Sequence, residues 1–254
     1  MKARFFNLVF KLYKASLDAT TFKKRKRVFI YTDSRGFDVI GKLGKTPFGS
    51  YIQKLIPRYH IKFTICPQKF TTIVDFIEFY QLNKLDTYDH VVMHCGVVDF
   101  SPRPLSNIEK VKASKGKNLA FESLFKANEQ HHKTPLGVKY YGEDVVTLYS
   151  TEYLRTEIGK HLIAMKNLIW IDSNHFVPGW EGNFKKGRPA NIDQVVSTYD
   201  EVIQAFVKNR ITLKDWTNEQ IQLYTIDNIH FTGAGFKELY KKIEQKLNEI
   251  NPDY

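Results

Sequence analysis

Five short apolar runs, each about the length of a strand and separated by helix-like stretches, restrict the fold of this chain more than any other feature. They are RVFIYT (27–32), IKFTIC (61–66), HVVMHC (90–95), NLIWID (167–172) and QLYTI (222–226). Within each run the apolar residues are continuous rather than alternating, the pattern of strands covered on both faces. Helical patterns lie between them. GSYIQKLI follows the first run, and TTIVDFIEFYQLN follows the second with Thr71 or Thr72 as its N-cap. STEYLRTEIGKHLIAMK precedes the fourth, NIDQVVSTYDEVIQAFVKN precedes the fifth, and TGAGFKELYKKIEQKLNEI closes the chain with Thr232 as cap. This alternation predicts a doubly wound α/β fold, with a parallel sheet of about five strands between helical layers.

The chain has 254 residues and 43% hydrophobic content, enough to bury a core without covalent staples. The connection from Phe100 to Asn167 far exceeds the ~2–6 residues usual for such folds. It is read as an insertion at about 101–149, at the carboxyl edge of the sheet, where open α/β folds bind ligands. Cys66 and Cys95 sit in or beside apolar runs and are expected to be free thiols. Lys plus Arg number 38 against 27 Asp plus Glu, a formal charge of +11 that favours anionic partners. No run approaches the ~20 apolar residues of a membrane span.

Residues 1–26 form a separate basic leader. At helical period Arg4, Asn7, Lys11 and Lys14 share one stripe, with Phe5, Phe6, Val9, Phe10, Leu12 and Tyr13 on the remainder. Such a helix suits peripheral contact with an anionic membrane, or packing on the domain's own core. KKRKR, residues 23–27, either adds contact with lipid headgroups or is a solvated linker. Residues 27–254 form the folded domain. No nucleic-acid-binding module is evident, so nucleic acid is not an expected partner.

Three segments place reactive side chains at strand ends or helix starts. The first strand stops at Asp33-Ser34-Arg35-Gly36, the third runs into HCGVVDF (94–100), and TIDNIHF (225–231) sets Asp227 three residues before His230. A serine hydroxyl becomes a nucleophile when an imidazole takes its proton, and a carboxylate fixes that imidazole's tautomer. Parallel strands would bring Ser34 and His230 to one edge, with Ser34 just before a helix whose N–H groups suit an oxyanion. Asp33 is expected to bond local backbone, Asp99 to organise the Gly96 loop, and His94 to be a core residue. His131, His132 and His175 have no carboxylate or cysteine at ligand spacing, so neither a metal nor another cofactor is expected.

The order Asp-Ser, then Gly-x-x-Asp, then Asp-x-x-His resembles the SGNH hydrolases, the GDSL esterase/lipase family, over about residues 28 to 250. The resemblance implies a three-layer α/β/α flavodoxin-like fold and a Ser34–His230–Asp227 triad. It further implies an oxyanion hole using the Ser34 and Gly96 N–H groups. Thr32 stands at the usual first-block glycine, and Val98 replaces the oxyanion asparagine. CPQKFTT (66–72) has no second-block glycine, leaving backbone N–H groups near Lys69 or Phe70 as substitutes. GVVDFSPRP (96–104) resembles a variant found among bacterial capsule and lipopolysaccharide assembly functions. That variant implies Arg103 as a holder of a carboxylate or phosphate on a sugar; the plain alternative is a solvated arginine.

Two functions follow as expectations. One is serine-dependent acyl-ester chemistry on a carbohydrate, a bacterial surface polysaccharide, as esterase, deacetylase or O-acetyltransferase. The other is an impaired glycan-binding or assembly component at the membrane. Both place the protein in the cytoplasm, peripheral to the inner membrane face.

Overall fold

In the computed structural model, residues 25–250 are described, together with residues 5, 8, 9, 11–13, 15 and 16 of the leader. Strands β1 (Arg27–Thr32), β2 (His60–Ile65) and β3 (His90–His94) form the first half of the main sheet. Short strands β4 (Arg103–Pro104), β5 (Lys139–Tyr140) and β6 (Glu143–Val146) form a separate antiparallel sheet in the order β4-β6-β5. Strands β7 (Leu168–Ile171) and β8 (Asn209–Ile211) complete the main sheet, whose order is β2-β1-β3-β7-β8. All four pairings in it are parallel.

Period-two alternation sorts the strand residues into two cores. Phe29, Tyr31, Val91, Met93 and Trp170 face one side with Phe76, Val196 and Tyr199 from helices Ile73–Leu82 and Ile192–Gln204. Val28, Ile30, Val92, Ile169 and Ile171 face the other with Ile52, Ile221, Phe236 and Leu239. Those four come from helices Tyr51–Leu55, Asn218–Tyr224 and Gly233–Ile250. The result is the three-layer α/β/α arrangement anticipated from the apolar runs.

One strand is corrected. Residues 222–226 are not the fifth strand. The Thr217–Gln220 capping box starts a helix at Asn218 that runs to Tyr224, leaving Leu223 exposed and Thr225 in an isolated bridge with Phe231. The edge strand is Asn209–Ile211, and Arg210 within it pairs with Asp172 just beyond β7. The helix expected to reach Asn209 stops at Gln204. The helix after Ser150 holds its expected place, with a π-helical segment at Leu154–Ile158.

Between Phe100 and Thr151 the chain builds helices Leu105–Lys115, Leu119–Ala127 and Glu129–His132 beside the small sheet. Lys115 ends the first of these in a buried ion pair with Asp75, which belongs to the Thr72 capping box of helix Ile73–Leu82. In the leader the described residues are helical. Phe5, Leu8, Val9, Leu12 and Tyr13 are exposed along one i, i+3, i+4 stripe. Arg4, Phe6, Asn7, Phe10, Lys14, Lys23 and Lys24 lie outside the described residues. Part of the basic run is not a solvated linker: the Arg25 guanidinium donates to the Ile56 carbonyl and that of Arg27 to the Thr87 carbonyl.

Candidate active site

The turn after β1 is built around a buried ion pair. Asp33 accepts from the Arg35 backbone N–H at 2.9 Å and from Arg35 Nε and Nη2, both at 3.0 Å. This holds Ser34–Gly36 as a single 3₁₀ turn. Ser34 therefore does not open a helix, and no helix dipole acts on it; what the turn offers is its own first N–H, which has no intrahelical acceptor. Gly36 answers the departure at Thr32. A Cβ at Gly36 would come 2.1 Å from Thr32 Cγ2, so the larger residue at 32 requires a glycine four positions on.

The loop before the last helix carries the acid and the base. Asn228 takes the left-handed conformation at φ 66°. Its side chain donates to the Trp180 carbonyl at 2.6 Å and accepts the Val177 N–H at 2.8 Å. Asp227 Oδ1 then accepts the Ile229 and His230 N–H groups at 3.1 and 2.8 Å. Its Oδ2 lies 2.9 Å from His230 Nδ1. A carboxylate only accepts, so Nδ1 carries the proton and Nε2 is left as acceptor. Ser34 Oγ stands 2.9 Å from that Nε2, across 196 positions of sequence. Burial by itself would raise the Asp227 carboxyl, but the hydrogen bonds and charge of His230, with Arg188, hold it below the usual carboxylate range.

The remaining expected residues divide. Gly96 is in the loop after β3 at φ 115°, and a Cβ there would meet the Phe100 ring at 2.9 Å, so glycine is required for packing as well as for backbone shape. Asp99 is structural: it accepts the Ile73 N–H at 3.1 Å and the Tyr149 hydroxyl at 2.9 Å. His94 is a core residue, fully buried, stacked on Phe231 and 3.3 Å from the Tyr51 hydroxyl; burial and the Arg35 charge push its pKa well down. Cys66 and Cys95 are free thiols. In the loop after β2, Cys66 and Phe70 adopt φ 45° and 55°, so the turn expected of a glycine is made by two other residues. His131 and His132 bond Thr147 Oγ1 and the Leu148 carbonyl, and His175 bonds Asn218. Among the described residues no cluster of His, Cys, Asp or Glu is placed to hold a metal.

Arg103 is half-buried rather than fully exposed, with its Nε out of contact with solvent. It lines a cavity of about 140 Å³ with Val97, Ser101, Arg188 and Ile229. Arg188, in a segment that reads as a charged loop, was not among the expected site residues. Its Nη2 donates to the Asp227 carbonyl at 2.7 Å and to Asp227 Oδ2 at 3.2 Å. Tyr140 and Tyr141 donate their hydroxyls to carbonyls of the same 186–187 segment. A larger cavity, about 370 Å³ and lined by His131, Thr147 and Tyr199 among others, includes none of Ser34, Asp227 or His230.

The fold has solved counterparts. A lipase/acylhydrolase from Enterococcus faecalis superposes with TM-score 0.53 at 13% identity, over 88% of this chain and 96% of that one. A protein from Lactobacillus plantarum does so with TM-score 0.50 at 16% identity, over 89% and 98%. At such identities the likeness is one of fold, the α/β fold of the SGNH hydrolases. No protein-family profile and no curated protein matches the sequence.

Proposed function

We propose that the protein is a serine-dependent enzyme acting on acyl esters, with Ser34, His230 and Asp227 as its triad. The observation that carries this reading is the hydrogen-bonded line from Ser34 Oγ through His230 to Asp227, with both links at 2.9 Å. Ser34 Oγ attacks the ester carbonyl as His230 Nε2 takes its proton. The N–H groups of Ser34 and Gly96 receive the oxyanion. Collapse expels the alcohol, protonated by His230, and leaves an acyl group on Ser34. Water, deprotonated by the same imidazole, releases the acid in a hydrolase; a sugar hydroxyl in its place makes an O-acyltransferase. Loss of one oxyanion donor costs ~10²–10³ in rate, so Val98 in place of an amide side chain makes this a slow catalyst.

The substrate class we assign is an acylated carbohydrate of a bacterial surface polysaccharide, the ester being an acetyl group. Two features support a charged polymer: the net charge of +11 and the arginine-lined cavity beside Asp227. A glycan-binding component that has lost acyl chemistry is the second reading, favoured by Val98 and by the absent second-block glycine. Turnover of p-nitrophenyl acetate separates them: slow hydrolysis by the wild type that vanishes in Ser34→Ala and in His230→Ala is expected, and turnover equal in all three proteins refutes the enzyme. The exposed stripe Phe5, Leu8, Val9, Leu12 and Tyr13 supports peripheral attachment to an anionic membrane at the cytoplasmic face. Flotation with phosphatidylglycerol vesicles is expected to carry the full chain and not a protein lacking residues 1–24; equal partitioning removes the membrane from the proposal.

A further inference from the structure

Three buried polar atoms with no hydrogen-bond partner among the described residues belong to residues of one cavity. They are Ser101 Oγ, Arg103 Nε and Arg188 Nε, and all three residues line the space of about 140 Å³. A buried donor left unmade costs the desolvation of its group. No ion pair or hydrogen bond of the Arg103 guanidinium occurs among the described residues. Burial works against its cationic form; the Asp99 charge favours that form, and the neighbouring Arg188 charge opposes it by less. Arg188 is held differently. Its Nη2 is committed to Asp227, and its guanidinium lies 4.4 Å from the Phe184 ring centroid, which fixes its plane and leaves Nε free. Arg188 already has the Asp227 carboxylate as its counter-ion, whereas Arg103 has none in contact among the described residues, so an anion entering this small cavity gains from both guanidinium groups.

The cavity adjoins the triad through the chain itself. Val97 and Ile229, which line it, directly follow Gly96 and precede His230. Arg188 ties it to Asp227. Arg103 reaches it from β4 at the start of the insertion, and Arg188 from the segment held by Tyr140 and Tyr141.

We propose that this cavity is an acid-binding subsite, in which Arg103, Arg188 and Ser101 donate to a carboxylate or phosphate carried by the ester substrate. The inference rests on the ester-chemistry reading for what the bound molecule is, and on the cavity alone for its charge. Guanidinium groups bind both acids through paired N–H donors, and the hydroxyl supplies a third. The acid enters this space as a substituent of the sugar ring.

Binding to the Ser34→Ala protein, measured by calorimetry, tests the subsite without turnover. The probes are methyl 2-O-acetylglucuronoside, methyl 2-O-acetylglucoside 6-phosphate and the neutral methyl 2-O-acetylglucoside. At least one charged probe is expected to bind ~10–100-fold tighter than the neutral one, the value of a charged hydrogen-bond set. Whichever charged probe binds tighter identifies the acid. Arg103→Gln is expected to bring the preference within about 3-fold, and Arg103→Lys to keep part of it. Ser101→Ala, which leaves the charge unchanged, is expected to weaken the charged probe by about 5-fold and the neutral one not at all. Equal affinity for all three probes, no binding of any, or a preference that survives Arg103→Gln overturns the subsite. A charge preference in a protein that hydrolyses no ester keeps the subsite and discards the ester reading.

Discussion

Asp227 decides the chemistry of His230 because every donor around it is accounted for: two backbone N–H groups on one oxygen, His230 Nδ1 and Arg188 on the other. Asp227→Asn keeps the shape and loses the tautomer, since an amide nitrogen facing Nδ1 forces the imidazole proton onto Nε2. A ~10⁴-fold fall in kcat on p-nitrophenyl acetate with an unchanged circular dichroism spectrum is expected; a fall below about 10-fold contradicts the assigned role. Ser34, Asp227 and His230 were legible because each carries chemistry in its side chain and the acid lies three residues from the base. Arg188 was not, because its partner stands 39 positions away and KKGRP reads only as a basic loop, solvated or lining a path for an anionic polymer, with nothing to single out its arginine. The Thr32–Gly36 exchange was equally hidden: the sequence displays a residue too large for its place but not the glycine that makes room.

Among the elements, the Val97–Phe100 turn is bound to the first turn of helix Ile73–Leu82 through one carboxylate, Asp99, which also anchors Tyr149. Burial pushes Asp99 up to about 7, against the Ile73 N–H and the Tyr149 hydroxyl, which favour its anion. In the unfolded chain the same group titrates near ~3.9. The folded protein thus retains a proton that the unfolded chain releases. The resulting stability is complete below about pH 4 and is lost as pH rises to about 7. Asp99→Asn is expected to reduce the fall in Tm between pH 4.5 and 7.5; Asp200, also raised to about 7 by burial, maintains the remainder. An unchanged slope contradicts the assignment. Strands buried on both faces were legible from their continuous apolar runs, and the helices from caps such as Thr72 and Thr232. The edge strand Asn209–Ile211 was not, since three residues, two of them polar, carry no period. QLYTI took its place because a short apolar run reads alike as strand or helix.

For the molecule as a whole, the sheet order β2-β1-β3-β7-β8 brings together a serine after the first strand and a histidine before the last helix. The insertion adds Arg103 to that edge, and its Lys115–Asp75 ion pair fastens it to the helix after β2. The fold class was visible in the sequence because alternation of element types is a property of the entire chain. The internal architecture of the insertion was not, because its helices pack largely through a few residues, Phe121 and Leu124 among them, set in a charged background. Whether the assembled edge is a working nucleophile is read most directly by incubating the full-length protein with a fluorophosphonate probe and mapping the modified peptide by mass spectrometry. One adduct, on Ser34, absent from His230→Ala, is the expected result. No adduct on the wild type, or one that forms equally without His230, contradicts it.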